Sequence, residues 1–260
     1  MHDFSHTASQ PSPETLERFA AIVSAKYALT GEEETRAYVT EWRDKFFGKA
    51  AMVLRPASTD EVSQIMKLAS ETGTAIVPQS GNTGLVGGQV PFDTGNEIVL
   101  SLSRLNKIRN VDALDNTITV EAGTILQNVQ QTADDVERLF PLRIGSQGTC
   151  QIGGNLGSNA GGISTLAYGN ARDLVLGVEV VLPDGRIWDG LSRLRKNNTG
   201  YDLKDIFIGS EGTLGIITAA TLKLFPKPVD RQAALAGLEN PEAAIELLAL
   251  ARGLVGNGVV

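Results

Sequence analysis

The chain has 260 residues, 42% of them apolar and 20% charged, and a net charge of −7. That is a globular balance, long enough for one large domain or two smaller ones sharing a core. The acidic surplus argues against nucleic acid, whose phosphates want a basic face, and no apolar run reaches the ~18 residues that a membrane helix needs.

Residues 1–12 carry no basic n-region, no apolar h-region and none of the arginines of a transit peptide, and read as a disordered lead-in. A single cysteine, Cys150, excludes an internal disulfide and fits a reducing compartment, so a cytoplasmic location is expected. Helical spacing then predicts a first helix over Thr15–Lys26, opened by Pro13 with Ser12 as N-cap, and a second over Glu32–Val39. "AMVLRP" reads as a buried strand that ends at proline. Ser58 and Glu61 form a capping box for a helix from Thr59 to about Thr72, with Gly73 just past its end. "AIVP" closes this β-α-β unit. Beyond it "EIVLSL", "TITVEAG", "LGVEVVL", "RIWDG" and "LGIITAATLKLF" read as strands of a larger antiparallel half. A helix around Thr124–Ala133 interrupts them, and Pro183–Gly185 makes a tight turn. The expected class is α+β: a small β-α-β subdomain followed by a larger, mainly antiparallel subdomain with flanking helices.

Three stretches defy this periodicity. "VPQSGNTGLVGGQVP" (Val77–Pro91) leaves the second strand, and two more follow at Gly145–Gly162 and Gly209–Gly215. Each interior glycine costs a regular element roughly 0.5–1 kcal/mol against alanine. Successive unhindered N–H groups make an anion-binding concavity, and Gly81, Gly84, Gly87 and Gly88 would let a pyrophosphate close in, with Ser80, Asn82 and Thr83 as side-chain donors. The competing reading is a set of tight turns, and it weighs most for "GSEGTLG". Neither G-x-G-x-x-G nor G-x-x-x-x-G-K-[ST] occurs, which removes a Rossmann site and a P-loop. A ligand touched by three loops so far apart must be long and lie in a crevice between the halves.

The segments "PQSGNTGLVGG", "GTCQIGGNLGSNAGG", "LRKNNTGYDLKDIFIGSEGTLGIIT" and "LFPKP" resemble the PCMH-type FAD-binding domain of the vanillyl-alcohol oxidase / p-cresol methylhydroxylase superfamily, over about Trp42 to Pro228. Within it the resemblance is to FAD-linked D-2-hydroxyglutarate dehydrogenase, D-lactate dehydrogenase and the glycolate oxidase FAD subunit, resting mainly on "RKNNTGYDLK". It implies FAD extended between two α+β subdomains. Gln79, Ser80, Gly81, Asn82, Thr83 and Gly84 would wrap the pyrophosphate, with Pro78 and Gly88 also binding the cofactor. Gly148, Thr149, Gly153, Gly154, Ser158, Asn159 and Gly161 would line the flavin and ribityl chain. Gly212, Ile216 and Ile217 would close from the other half, with Asn198 and Tyr201 near the ring system; a core ring with a surface hydroxyl is the other reading of Tyr201. The only histidines, His2 and His6, lie in the lead-in, so FAD is expected to be non-covalent, with Cys150 as core packing rather than a tether.

The implied reaction is hydride transfer from a D-2-hydroxy acid (2-hydroxyglutarate, lactate or glycolate type) to flavin N5, with an electron-transfer flavoprotein or a quinone as acceptor. It needs a base and cations for the substrate carboxylate. No histidine follows His6 and no cluster has metal spacing, so the catalytic groups stay unassigned. The expected division is a lead-in (1–12), a helical segment (13–46), the FAD domain (47–228) and the opening of a truncated cap or substrate domain (229–260). The alternative is a non-catalytic FAD-binding module of a split oxidase, as one subunit of a pair or a homodimer.

Overall fold

The structure is a computed structural model that describes residues 9–230, 232–256 and 259; residues 1–8 of the lead-in lie outside them. Helix α1 (Pro13–Val23) starts where the sequence puts it, with the Ser12 hydroxyl accepting the Thr15 N–H at 3.2 Å. It stops at Val23 rather than Lys26, because Ser24 turns to φ +67 and a 3-10 turn follows. Strand β1 (Ala28–Leu29) and helix α2 (Glu32–Val39) come next. They lead to β2 (Ala50–Leu54), α3 (Thr59–Thr72), β3 (Ile76–Gln79) and β4 (Glu97–Ser101). The Ser58 hydroxyl accepts the Glu61 N–H at 3.1 Å, and Gly73 ends α3 at φ +67. The Glu61 carboxylate reaches back to the Ala57 N–H, one residue before the partner that a reciprocal box would use.

The first sheet runs β1-β2-β4-β3, with β2, β4 and β3 parallel and β1 antiparallel at the edge. "EIVLSL", expected in the antiparallel half, is instead an interior strand of this sheet, paired parallel with both β2 and β3. All five residues of β4 are buried. A strand covered on both faces carries a continuous apolar run without alternation, the pattern of a parallel interior strand. N-terminal residues 13–29 are built into the same body: Phe19 and Val23 pack with Leu54, Val62, Ile65, Ile98 and Leu100.

The second sheet is antiparallel throughout, in the order β5-β6-β10-β8-β9. Its strands are β5 (Ile108–Asp112), β6 (Thr117–Glu121), β8 (Val175–Val181), β9 (Ile187–Asp189) and β10 (Ile216–Lys223). Helices α4 (Leu126–Asp135) and α5 (Ile152–Gly157) lie on its core, where Leu126, Val129 and Ile152 meet Ile118, Val178 and Leu222. A two-stranded ribbon pairs β7 (Arg138–Leu139) with β11 (Phe225–Pro226), and α6 (Thr165–Tyr168) and α7 (Lys204–Phe207) are single turns. Helix α8 (Pro241–Val255) buries none of its residues.

The two halves share a seam. Ala122, Val181 and Ile216 from the second half belong to the first core. Beside them Arg109 bridges Glu121 at 3.3 Å and Glu179 at 3.1 Å, and Glu179 also accepts the hydroxyls of Thr59 and Thr218. Thr59 opens α3, so this cluster fixes the helix of one half to the sheet of the other. Burial pushes the Glu179 carboxyl up, but the Arg109, Thr59 and Thr218 hydrogen bonds win and hold it below its ordinary value.

Candidate functional site

The first glycine stretch leaves β3 at the carboxyl ends of the parallel strands, the edge where open sheets with parallel strands place ligands. Two amides hold it. Gln79, 3% exposed, donates from Nε2 to Tyr38 O at 2.7 Å and to Gln89 O at 2.9 Å. Asn82, at φ +51, donates from Nδ2 to Thr40 O at 2.8 Å and Ala37 O at 3.1 Å. Helix ends leave carbonyls without intrahelical partners, and these amides satisfy those of α2. The Asn82 amide, expected as a ligand donor, is therefore committed to the fold. By contrast, the backbone N–H groups of Gly81, Asn82, Thr83 and Gly84 donate to no protein group among the described residues. Four consecutive free donors are what an oxyanion needs.

The second stretch is partly helical, which its glycines concealed: α5 lies inside it. The close approach of two chains explains this. A Cβ on Gly153 would stand 2.8 Å from Ala122 Cβ, one on Gly154 3.0 Å from Ser80 Cβ, and one on Gly81 2.4 Å from Thr149 O. The glycines thus let the second stretch lie close against the first at Ser80 and Gly81 and against Ala122 at the seam. The third joins them through Gly212, where a Cβ would stand 2.4 Å from Pro78 Cγ.

Together the three stretches wall one cleft of about 520 Å³. Pro78 to Gly84 and Gly88 line it, as do Gly153, Gly154, Ser158 and Gly161, and Gly212, Ile216 and Ile217. Gly87, Gly148, Thr149, Asn159, Asn198 and Tyr201 were expected at the ligand and are not on its wall. Gly148 and Thr149 are exposed, and the Asn159 side chain accepts the Arg172 N–H at 3.0 Å. Asn198 is exposed, beside a local turn in which the Thr199 N–H donates to Asn197 Oδ1. Tyr201 is 91% exposed, so it is neither beside the cleft nor a core ring.

Sequence reasoning missed Gln151, Asn155 and Glu211 on the wall, and the apolar Leu102, Ile144 and Phe207. A glutamine and an asparagine inside an otherwise apolar, glycine-rich run were the available signal for the first two. Gln151 Oε1 and Asn82 Oδ1 are buried without a hydrogen-bond partner among the described residues. Cys150 also touches the cleft but packs in the second core, 2% exposed. Burial pushes its thiol up, more than the nearby Asn155 and Ser146 lower it. A thiol held protonated is a poor nucleophile, which suits core packing better than a covalent tether. A wider groove of about 1120 Å³ continues past Ile144 and Gly161, with Arg143, Gln127, Gln147 and Lys227 on its sides.

An α+β body with a seam cleft, walled by backbone and offering four free N–H groups in a row, defines a binding domain for a long phosphate-bearing cofactor. The chain belongs to the FAD binding domain family, which matches residues 50–190, and its cofactor is FAD. It is 42% identical over 242 residues to the D-2-hydroxyglutarate–pyruvate transhydrogenase of Saccharomyces cerevisiae, covering 92% of this chain and 48% of that protein. To the mitochondrial D-2-hydroxyglutarate dehydrogenase of Danio rerio it is 41% identical over 249 residues, covering 95% of this chain and 46% of that one. Among solved structures, alkyldihydroxyacetonephosphate synthase matches with a TM-score of 0.75 at 23% identity, over 86% of this chain and 42% of that chain, a likeness of PCMH-type fold. The chain spans about half the length of the relatives it matches. The cytoplasmic location expected from a lone cysteine is overturned by this comparison, because similar D-2-hydroxyglutarate dehydrogenases are named as mitochondrial. A single thiol reports a reducing compartment, which does not separate the cytosol from other reducing spaces.

Proposed function

We propose that this chain is the FAD-holding part of an oxidoreductase that converts a D-2-hydroxy acid of the 2-hydroxyglutarate, lactate or glycolate type into its 2-oxo acid, in mitochondria. The observation that carries the reading is the convergence of three glycine stretches, distant in sequence, on one cleft whose first wall offers free N–H groups at Gly81, Asn82, Thr83 and Gly84. FAD, when bound, supplies the acceptor for the hydride that leaves C2 of the hydroxy acid. Those four N–H groups, with the Ser80 and Thr83 hydroxyls, hold the pyrophosphate. Gln79 and Asn82 keep the loop in shape by clasping α2. Gly153, Gly154, Ser158 and Gly161 bring a second backbone wall against the cofactor, and Gly212, Ile216 and Ile217 a third. The apolar Leu102, Ile144 and Phe207 exclude water from it.

The names of the relatives support the substrate class. The length of those relatives supports a further domain, with residues 229–260 as its opening and the exposed apolar face of α8 (Ile245, Leu248) as its contact. An electron-transfer flavoprotein or a quinone is the proposed acceptor. The test is anaerobic mixing of FAD-loaded protein with D-2-hydroxyglutarate, D-lactate and glycolate while flavin absorbance is followed. The chain alone is expected to hold FAD without fast bleaching; rapid bleaching by any of the three contradicts the division of labour between this chain and the rest of the enzyme. Acid precipitation should release the flavin, and colour kept in the pellet contradicts non-covalent binding.

A further inference from the structure

The groove of about 1120 Å³ meets the cleft at Ile144 and Gly161, which line both. Three cations, Arg138, Arg143 and Lys227, are on its sides. Two of them are committed. Arg138 donates to Ala113 O and Asn116 Oδ1, and Lys227 pairs with Asp134 at 2.6 Å. The Arg143 guanidinium makes no hydrogen bond or ion pair with the described residues. Its backbone is nevertheless pinned where the second glycine stretch ends. Arg143 O accepts the Ile163 N–H at 3.1 Å, and a Cβ on Gly162 would stand 1.8 Å from the same oxygen. Only glycine lets the chain close in there, so an uncommitted cation is held beside Gly161, at the rim of the cleft. The side-chain amides of Gln127 and Gln147, on the same groove, make no hydrogen bond with the described residues either.

A guanidinium grips a carboxylate through two parallel N–H donors, and amide N–H groups can add to the set. The three acids of the proposed reaction share the carboxylate on C1. They differ in the arm on C2, which is a hydrogen in glycolate, a methyl in lactate and a chain ending in a second carboxylate in 2-hydroxyglutarate. Arg143 lines the groove and not the cleft, which puts it past the reacting carbon rather than at it. A hydrogen or a methyl would make no use of a cation there, whereas a charged arm would meet both the room and the donors. We infer that Arg143 receives the distal carboxylate of a 2-hydroxy dicarboxylic acid, so that this half of the enzyme selects 2-hydroxyglutarate-type acids over lactate and glycolate. The inference deepens the reading of the cleft as the FAD site and rests on it. Arg143 acts as a specificity residue: it holds the arm, and neither C2 nor the flavin.

The experiment is anaerobic calorimetric titration of FAD-loaded wild type, Arg143→Met and Arg143→Lys with D-2-hydroxyglutarate, with its C5 amide and with D-lactate. The wild type should bind the diacid at least about tenfold tighter than either monoanion, the gain for a hydrogen bond between charged groups. Arg143→Met should bind all three alike. Arg143→Lys should keep part of the preference, because it keeps the charge and loses the planar fork. Both variants should take up FAD as the wild type does. Equal affinity of the wild type for the diacid and its amide overturns the inference, as does failure to bind the diacid or a preference that survives Arg143→Met. Weaker FAD uptake by Arg143→Met overturns it too, because the guanidinium would then serve the cofactor. A wild type that takes up no FAD overturns the cofactor reading itself, a different result from FAD-loaded protein that ignores the second carboxylate.

Discussion

Two loops that carry the resemblance to flavin-dependent dehydrogenases behave differently. Residues 79–89 hold four glycines and no charged residue, whereas residues 192–203 hold one glycine and four charged residues. The first is clasped by two amides to α2, closed on itself by Gln79 and Gln89, and packed against two other glycine stretches. The second is anchored at its start by Arg193 to Asp112 and Arg195 to Asn116 O, but then makes local turns, such as Thr199 N–H to Asn197 Oδ1, and leaves Asn198 and Tyr201 in solvent. Composition permits a binding loop; long-range side-chain ties and close backbone contact organise one before its ligand arrives.

The contrast can be broken at its tightest point first. Gly81→Ala would drive a Cβ into Thr149 O, 2.4 Å away, and should cost about 3 kcal/mol of stability by urea unfolding, as overpacking against rigid backbone does. An unchanged midpoint would mean that the first two stretches can separate freely. Gln79→Leu comes next. It leaves Tyr38 O and Gln89 O without their donor, and about 2 kcal/mol should be lost, together with most of the FAD affinity because the loop is no longer held.

The seam supplies a pH test. The folded Glu179 carboxyl lies below its ordinary value of 4.5. Its stabilising contribution is therefore fully present above 4.5 and is lost as pH falls through the lower folded value. Wild-type stability should drop more steeply on acidification below pH 4.5 than that of Glu179→Gln; parallel curves would show that the cluster does not couple the halves. The smallest effect belongs to the second loop. Tyr201→Ala should change stability by less than about 0.5 kcal/mol and leave FAD affinity as it was.

Much of this was readable from sequence where local chemistry decides. Ser12, Ser58 and Gly73 marked helix ends by their capping chemistry, and Pro183–Gly185 marked its turn, closed by the Gly185 N–H on Leu182 O. The glycine stretches announced a backbone-lined site. What stayed hidden depends on partners far along the chain. "EIVLSL" looks the same whether it flanks one sheet or centres another, and only burial on both faces decides. Helix α5 was masked because a glycine penalty is a local cost, whereas the gain comes from Ala122 and Ser80 across the seam. Gln79 and Asn82 looked like ligand contacts because nothing local shows that the carbonyls of α2 need them.

The four free N–H groups of Gly81 to Gly84 are assigned to a pyrophosphate, so the most direct measurement is a titration of apoprotein with FAD and with FMN, which lacks the pyrophosphate and everything beyond it. FAD should bind at least about tenfold tighter, a difference of about 1.4 kcal/mol or more. Equal affinity for the two would contradict the assignment of the cleft.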